Sequence, residues 1–160
     1  MSLQYVIDGY NIIKHPLFIK QLAKKIHDSR ISLLDFIRVN RLCGSRNNKI
    51  IVVFDGYPDS RYLNFDSEAE VIFSRKESAD EKIKRMVAES GNVKNIVVVS
   101  DDREIKFMVK SLGARCLGIE EFVKSKEKSK AQRNDELISQ ELNYSQMYKI
   151  NQELRKIWLK

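Results

Sequence analysis

Ile96-Val97-Val98-Val99-Ser100-Asp101-Asp102-Arg103-Glu104 is the stretch on which the fold turns. Its four consecutive branched apolar residues leave no polar position between them. Such a run reads as a strand buried on both faces, as in a parallel sheet covered by helices. The serine and the two acids then stand at the strand's carboxyl end, where open α/β sheets place their sites. The same grammar occurs twice upstream. Tyr5-Val6-Ile7 runs into Asp8, and Ile50-Ile51-Val52-Val53-Phe54 runs into Asp55. Carboxylates gathered at one sheet edge repel, and a hard divalent cation with oxygen ligands is the commonest remedy.

Working outward, the pattern predicts strands at 4–7, 50–54, 71–74, 96–100 and 115–118. About 40 residues of helical pattern separate the first two, with Pro16 suited to a first helical turn. A helix is expected from Ser29 to Cys43, ended by Gly44-Ser45 and apolar on more than one stripe. Ala79, Ile83, Met86 and Val87 form a further stripe ending near Gly91; Ile105, Met108, Val109 and Leu112 form another ending at Gly113. Strands alternating with helices make a right-handed, parallel α/β sheet the default. Residues 56–70 form a long polar connection, of the kind that serves as a binding loop at a sheet's carboxyl edge.

The 160 residues suffice for one full core, and we divide them into a domain over 1–123 and a tail over 124–160. The tail opens with a basic linker, Lys124 to Arg133, and closes with an amphipathic helix marked by Met147, Ile150, Leu154, Ile157 and Trp158. No apolar stretch reaches the ~20 residues of a membrane span. Cys43 and Cys116 lack metal-type spacing and read as buried thiols of a reducing cytoplasm. The net charge is +7, with +3 on residues 1–123 and +4 on 124–160. A polyanionic partner is expected, and no membrane.

Asp8-Gly9-Tyr10-Asn11 is either a strand-to-helix turn or a site segment; Gly9 permits close approach and Asn11 carries an amide that could hold a water or phosphate oxygen. Asp80 lies in Ser78-Ala79-Asp80-Glu81, which is also a capping box. Asp101 and Asp102 are also reasonable helix caps. Their sum is harder to explain. Each like pair at ~4 Å costs about 4 kcal/mol at an effective dielectric near 20. A helix dipole returns only ~0.3–1 kcal/mol. The cluster, more than any member, argues for metal. A histidine-based, metal-free ribonuclease would need His15 and His27 together, yet twelve positions part them on a helical stretch. No phosphate-binding loop of the Gly-x-x-x-x-Gly-Lys type is present. A receiver-type phosphoacceptor would pair its acids after the first strand, whereas here they follow the fourth.

Five segments in order, 5–13, 52–56, 71–74, 77–83 and 97–104, resemble the YacP-like NYN domain, a branch of the PIN-like nucleases. The resemblance covers residues 4–123. It implies a three-layer α/β/α PIN-like fold with a central parallel sheet and a Mg²⁺- or Mn²⁺-dependent ribonuclease. Position by position, it makes Asp8, Asp80 and Asp101 the metal-holding acids, with Asn11 and Asp102 beside them. Asp55 matches a recurrent acid whose role is structural or catalytic. Ser78 stands where threonine is common, and the hydroxyl is kept.

The expected reaction is cleavage of RNA by metal-activated water, in the cytoplasm. Expected phosphate contacts are Lys14, Arg61, Arg75, Lys76 and Arg103, joined by Lys124, Lys126, Lys128, Lys130 and Arg133 of the linker. Tyr10, Tyr57 or Tyr62 would stack on an unpaired base. The competing expectation is a non-catalytic adaptor for RNA or the ribosome. Such a protein would keep the basic tail and would not need the acids.

Overall fold

A computed structural model describes residues 2–21, 28–60 and 68–125, with 149, 152, 153, 155 and 156. The chain divides into two compact units, Met1–Lys124 and Ser125–Lys160. In the second, the described residues 149, 152, 153, 155 and 156 are helical. The linker cations Lys126, Lys128, Lys130 and Arg133, and the expected apolar face of the last helix, lie outside the described residues.

The first unit is a five-stranded parallel sheet. Its strands are β1 (Gln4–Asp8), β2 (Lys49–Phe54), β3 (Glu70–Phe73), β4 (Ile96–Val99) and β5 (Arg115–Leu117). Their spatial order is β3-β2-β1-β4-β5, all neighbours parallel. The chain starts at the centre, winds out through β2 to β3, and returns to build β4 and β5 on the other side. The direction reverses between β1 and β4, so their carboxyl ends flank the crevice where such sheets bind ligands.

Alternation along each strand separates two cores. Ile7, Val52, Phe54 and Val99 face one layer, with Ile12, Phe18, Leu33, Leu34, Ile37 and Phe122. That layer holds α1 (Gly9–Ile13), α2 (Pro16–Gln21), α3 (Ser29–Asn40) and a helical segment at 119–125. Val6, Ile51, Val53, Ile96 and Val98 face the other, packing on α4 (Ala79–Ala88) and α5 (Arg103–Ser111) through Ile83, Val87, Ile105 and Val109. Both sheet faces are thus covered, which explains the uninterrupted apolar runs.

Several local expectations are corrected. Helix α3 stops at Asn40, before Gly44, because Arg41 takes the left-handed conformation (φ 48°) and Leu42 N–H donates back to Ile37 O. The chain therefore ends the helix with a Schellman-type turn on an arginine instead of the usual glycine. That helix is also less buried than its composition suggests, since Val39 is 69% exposed. Cys116 is only half-buried, and both thiols are free. Gly9 allows the expected close approach, but to a ring and not to a backbone. It opens α1 beneath the Phe54 ring, where an added Cβ would meet Phe54 Cδ1 at 2.6 Å. Among the described residues no helix is long and apolar enough to cross a membrane.

Candidate functional site

Register fixes where the acids stand. Asp8 is the last residue of β1 and pairs with Val53, while Ile7 pairs with Val99. Asp8 is therefore level with Ser100, one residue beyond the end of β4. Asp8 is 5% exposed and Ser100 fully buried. The Ser100 hydroxyl donates to Asp8 Oδ2 at 3.3 Å, and Asp102 N–H donates to Ser100 Oγ at 3.1 Å. One hydroxyl thus ties the end of β1 to the entry of α5.

Asp80 arrives from the opposite direction. The capping box is present: Ser78 Oγ accepts from Glu81 N–H, and the Glu81 carboxylate accepts from Ser78 N–H. Asp55 holds the same helix start. Its Oδ1 accepts from Ala79 N–H at 2.6 Å and from Ser74 Oγ at 3.4 Å. Ser74 in turn accepts from Gly56 N–H, and its own N–H donates to Phe54 O. Asp55 thus staples the end of β2 to the first turn of α4, and that turn carries Asp80.

The electrostatics group these acids. Burial pushes the Asp8 carboxyl up to about 6, and the charge of Asp80 adds to it; Asn11 N–H and the Ser100 hydroxyl oppose the shift, and Asp55 contributes to it. Asp80 is also raised, first by burial, then by Asp102, with Asp55 and Glu104 adding and Lys84 opposing. Lys84 is itself engaged by Glu104 at 3.1 Å. Asp102 caps α5, accepting from Glu104 and Ile105 N–H. Asp80 thus links the set, repelled by Asp102 on one side and repelling Asp8 on the other, with the charge of Asp55 reaching both Asp8 and Asp80.

Asp101 belongs elsewhere. Its Oδ1 accepts from Ile119 N–H at 3.0 Å and lies 3.6 Å from Lys106 Nζ, and its Oδ2 lies 3.6 Å from His15 Nε2. Asn11 also departs from its expected part. Its Oδ1 accepts from Asp101 N–H at 3.0 Å, so the amide holds the loop after β4. His15 is occupied as well, since its Nδ1 accepts from Leu17 N–H at 3.2 Å. His27 lies outside the described residues.

Lys14, Arg75, Lys76 and Arg103 are exposed around the carboxyl edge. Arg75 is left-handed (φ 62°) and its N–H donates to Gly56 O. Tyr57 is 61% exposed, whereas Tyr10 packs edge-on against Phe54. Lys124 pairs with Glu120 at 2.6 Å. Arg61 and Tyr62 lie outside the described residues. A cavity of about 500 Å³ lies apart from these acids: Arg38, Arg41, Cys43, Arg46 and Asn48 line it beside the start of β2.

The YacP-like NYN domain model matches residues 5–159 of this sequence. The chain belongs to the YacP-like NYN family. The match runs past residue 123, where the resemblance read from the segments stops, and takes in most of the tail. Two solved structures are similar. Rae1 (YacP) from Bacillus subtilis is 22% identical with a TM-score of 0.62, covering 98% of this chain and 92% of its own. A tryptophan-to-leucine variant of Rae1 is 26% identical with a TM-score of 0.58, covering 87% and 85%. No curated protein matches. The NYN family is related to the PIN-like nucleases, and the central parallel sheet flanked by helices is the fold it shares with YacP.

Among the described residues no three Asp, Glu, His or Cys side chains converge to enclose a metal ion. The donor set nevertheless fits one class of ion. Asp8, Asp80 and Asp102 are hard oxygen donors, and Lys84 opposes the repulsion only at Asp80. Mg²⁺ commonly keeps several waters and takes one or two carboxylates plus substrate phosphate oxygens, without a protein cage. Ser74 and Lys84 are the site neighbours that the sequence pattern does not single out, and it places Ser100 at the strand end without a role. The only local signal was for Lys84, at i+4 from Asp80.

Proposed function

We propose that this NYN domain is a divalent-metal-dependent endoribonuclease centred on Asp8, Asp80 and Asp102. The observation that carries the reading is Asp8: a carboxylate 5% exposed, raised to about 6, and neighboured by further acids. Burying such a group costs stability, and a cation-dependent activity accounts for its being there. Asp8, Asp80 and Asp102 would hold Mg²⁺ or Mn²⁺. When bound, the ion lowers the pKa of water and offsets charge on a phosphodiester.

The chain's own groups do the rest. Asp102 is fixed by capping α5, and Asp80 by the Asp55 staple at the start of α4. Ser100 orients Asp8 Oδ2. An ionised carboxylate of this set accepts the proton of the attacking water, with no dedicated histidine. Asp101 and Asn11 act as positioning residues, because their contacts lock the loop that presents Asp102. Arg75, Lys76 and Arg103 hold flanking phosphates, and the unpaired strand lies across the open edge.

The test is cleavage of a mixed structured and unstructured RNA pool with Mg²⁺, Mn²⁺ or chelator, read beside thermal unfolding. We expect cleavage only with metal, 5′-phosphate and 3′-hydroxyl ends, and a melting temperature that rises with Mn²⁺. Cyclic 2′,3′-phosphate ends or full activity in chelator would sink it. RNA binding without cleavage in any metal would turn the reading into the adaptor.

A further inference from the structure

The solvent face of α5 carries an aromatic ring where a charged helix would place a polar residue. Ile105 and Val109 are fully buried against the sheet. At 3.6 residues per turn the point opposite them falls on Phe107, which is 79% exposed. Arg103 and Lys110 stand four before and three after it, so they flank it on the same face. Both are exposed and neither forms an ion pair among the described residues. A single exposed apolar side chain is ordinary. Here its position decides.

The helix begins at the acids. Asp102 is its cap, and Arg103 its first residue. Phe107 stands about 6 Å further along the axis than Arg103, and Lys110 about 4.5 Å beyond Phe107, at 1.5 Å per residue. Cation, ring and cation therefore succeed one another along a line leading away from the carboxylates. Single-stranded nucleic acid is held by this combination, a positive track for phosphates and an aromatic surface for bases.

We propose that the outer face of α5, Arg103-Phe107-Lys110, is a stacking platform for an unpaired RNA base next to the cleavage site. The proposal rests on the ribonuclease reading and adds the substrate class: a single-stranded segment, bound with little regard to base identity, because every base offers a face to the ring. Arg103 and Lys110 hold the phosphates on either side. A duplex, whose bases are already stacked, gains nothing from Phe107.

The experiment measures binding of the full chain to a labelled unpaired RNA oligonucleotide and to its duplex, in chelator so that no strand is cut. Phe107→Ala is expected to weaken the single strand about tenfold or more and leave the duplex unchanged. Phe107→Trp should restore affinity, with its fluorescence quenched on binding above the signal of Trp158. Phe107→Leu, apolar but unable to stack, should behave as Phe107→Ala. Replacing Arg103 and Lys110 by Gln should reduce the slope of log affinity against log salt by about 1.4, at ~0.7 per phosphate. Equal single-strand affinity for wild type and Phe107→Ala, with wild type still cleaving RNA, would overturn this proposal alone. Full affinity in Phe107→Leu would overturn it too and give the face to an apolar protein partner. A wild-type chain that neither binds nor cuts RNA would overturn the ribonuclease reading as well.

Discussion

Asp101 and Asp102 are neighbours in sequence, follow the same strand, and have different surroundings. Asp102 stands beside Asp80, whose carboxyl its charge raises against Lys84, and Asp80 in turn raises Asp8. Asp101 joins His15, Lys106 and the Ile119 amide, a donor or cation on each side of its carboxylate. One group of acids is poised by repulsion and the other is satisfied by partners. A clustered carboxylate therefore points to a site when the charges around it are mostly acids and not cations. On the proposed reading, Asp102 stands on the functional side of the carboxyl edge and Asp101 on its structural side, one residue apart.

The sharpest way to break this division is turnover. Asp8→Asn and Asp80→Asn should each lower metal-dependent cleavage about 10³-fold, a loss of roughly 4 kcal/mol in transition-state stabilisation. Asp101→Asn should cost only ~10–100-fold, the usual effect of disturbing a group that orients a ligand. Measuring kcat for the three variants on one RNA at saturating Mg²⁺ decides it. Equal losses for Asp101→Asn and Asp80→Asn would return Asp101 to the metal set.

Stability sharpens the same contrast, because its sign should reverse. Asp8 is deeply buried, with its carboxyl raised from 3.8 to about 6. The folded protein then retains between pH 4 and 6 a proton that the unfolded chain releases. This contribution is complete below pH 4 and is lost as pH rises through 6. Without metal, Asp8 should thus weaken the fold at pH 7 relative to pH 4, by on the order of 2–3 kcal/mol. Asp8→Asn should raise the metal-free melting temperature at pH 7 and flatten its pH dependence over that window. Denaturant unfolding in chelator at pH 5 and pH 7 checks both. A wild-type chain more stable at pH 7 than at pH 5, with Asp8→Asn no different in slope, would show that Asp8 is compensated by groups other than those named.

Asp101→Asn should act the other way. It exchanges a charged acceptor for a neutral one at the Ile119 amide and removes the charge facing Lys106 and His15. We expect a loss of about 1 kcal/mol, near the value of a lost helix cap, since Asp101 is partly exposed and its ion pairs are screened. A gain in metal-free stability would place Asp101 among the repelling acids.

The fold was legible because strands buried on both faces have no room for polar alternation. The runs at 50–54 and 96–99 therefore announce a parallel sheet without reference to any partner. The capping box at Ser78 and Glu81 was equally local and is present. The acids' division of labour was not legible. Asp101 and Asp102 carry the same local signal, and what separates them is remote: Asn11 lies 90 residues from Asp101 and Ile119 lies 18 away. Gly9 shows the same limit. Its local reading was a tight turn and a close approach, and only the fold shows that what approaches is a ring from β2. Helix α3 stopped short of its expected end for a similar reason in reverse: an arginine adopted the conformation for which glycine is the better local choice.

The smallest expected effect lies at Ser100, which belongs to the repelling side through two hydrogen bonds. Its hydroxyl donates to Asp8 and so favours the ionised carboxylate. Ser100→Ala should therefore move the Asp8 titration still higher, shifting the metal-free stability step to higher pH. It also leaves Asp102 N–H without its acceptor, and the combined cost should be about 1 kcal/mol. Lys106→Met is the matched change on the other side. It removes a cation from Asp101 and should leave the Asp8 step where it was, because Lys106 is not among the groups that shift Asp8. Following the Asp8 carboxyl by NMR through a pH titration of both variants measures the two effects directly. A displaced Asp8 titration in Lys106→Met would mean that the two groups of acids are one electrostatic unit, and that the boundary between Asp101 and Asp102 is only a matter of hydrogen bonding.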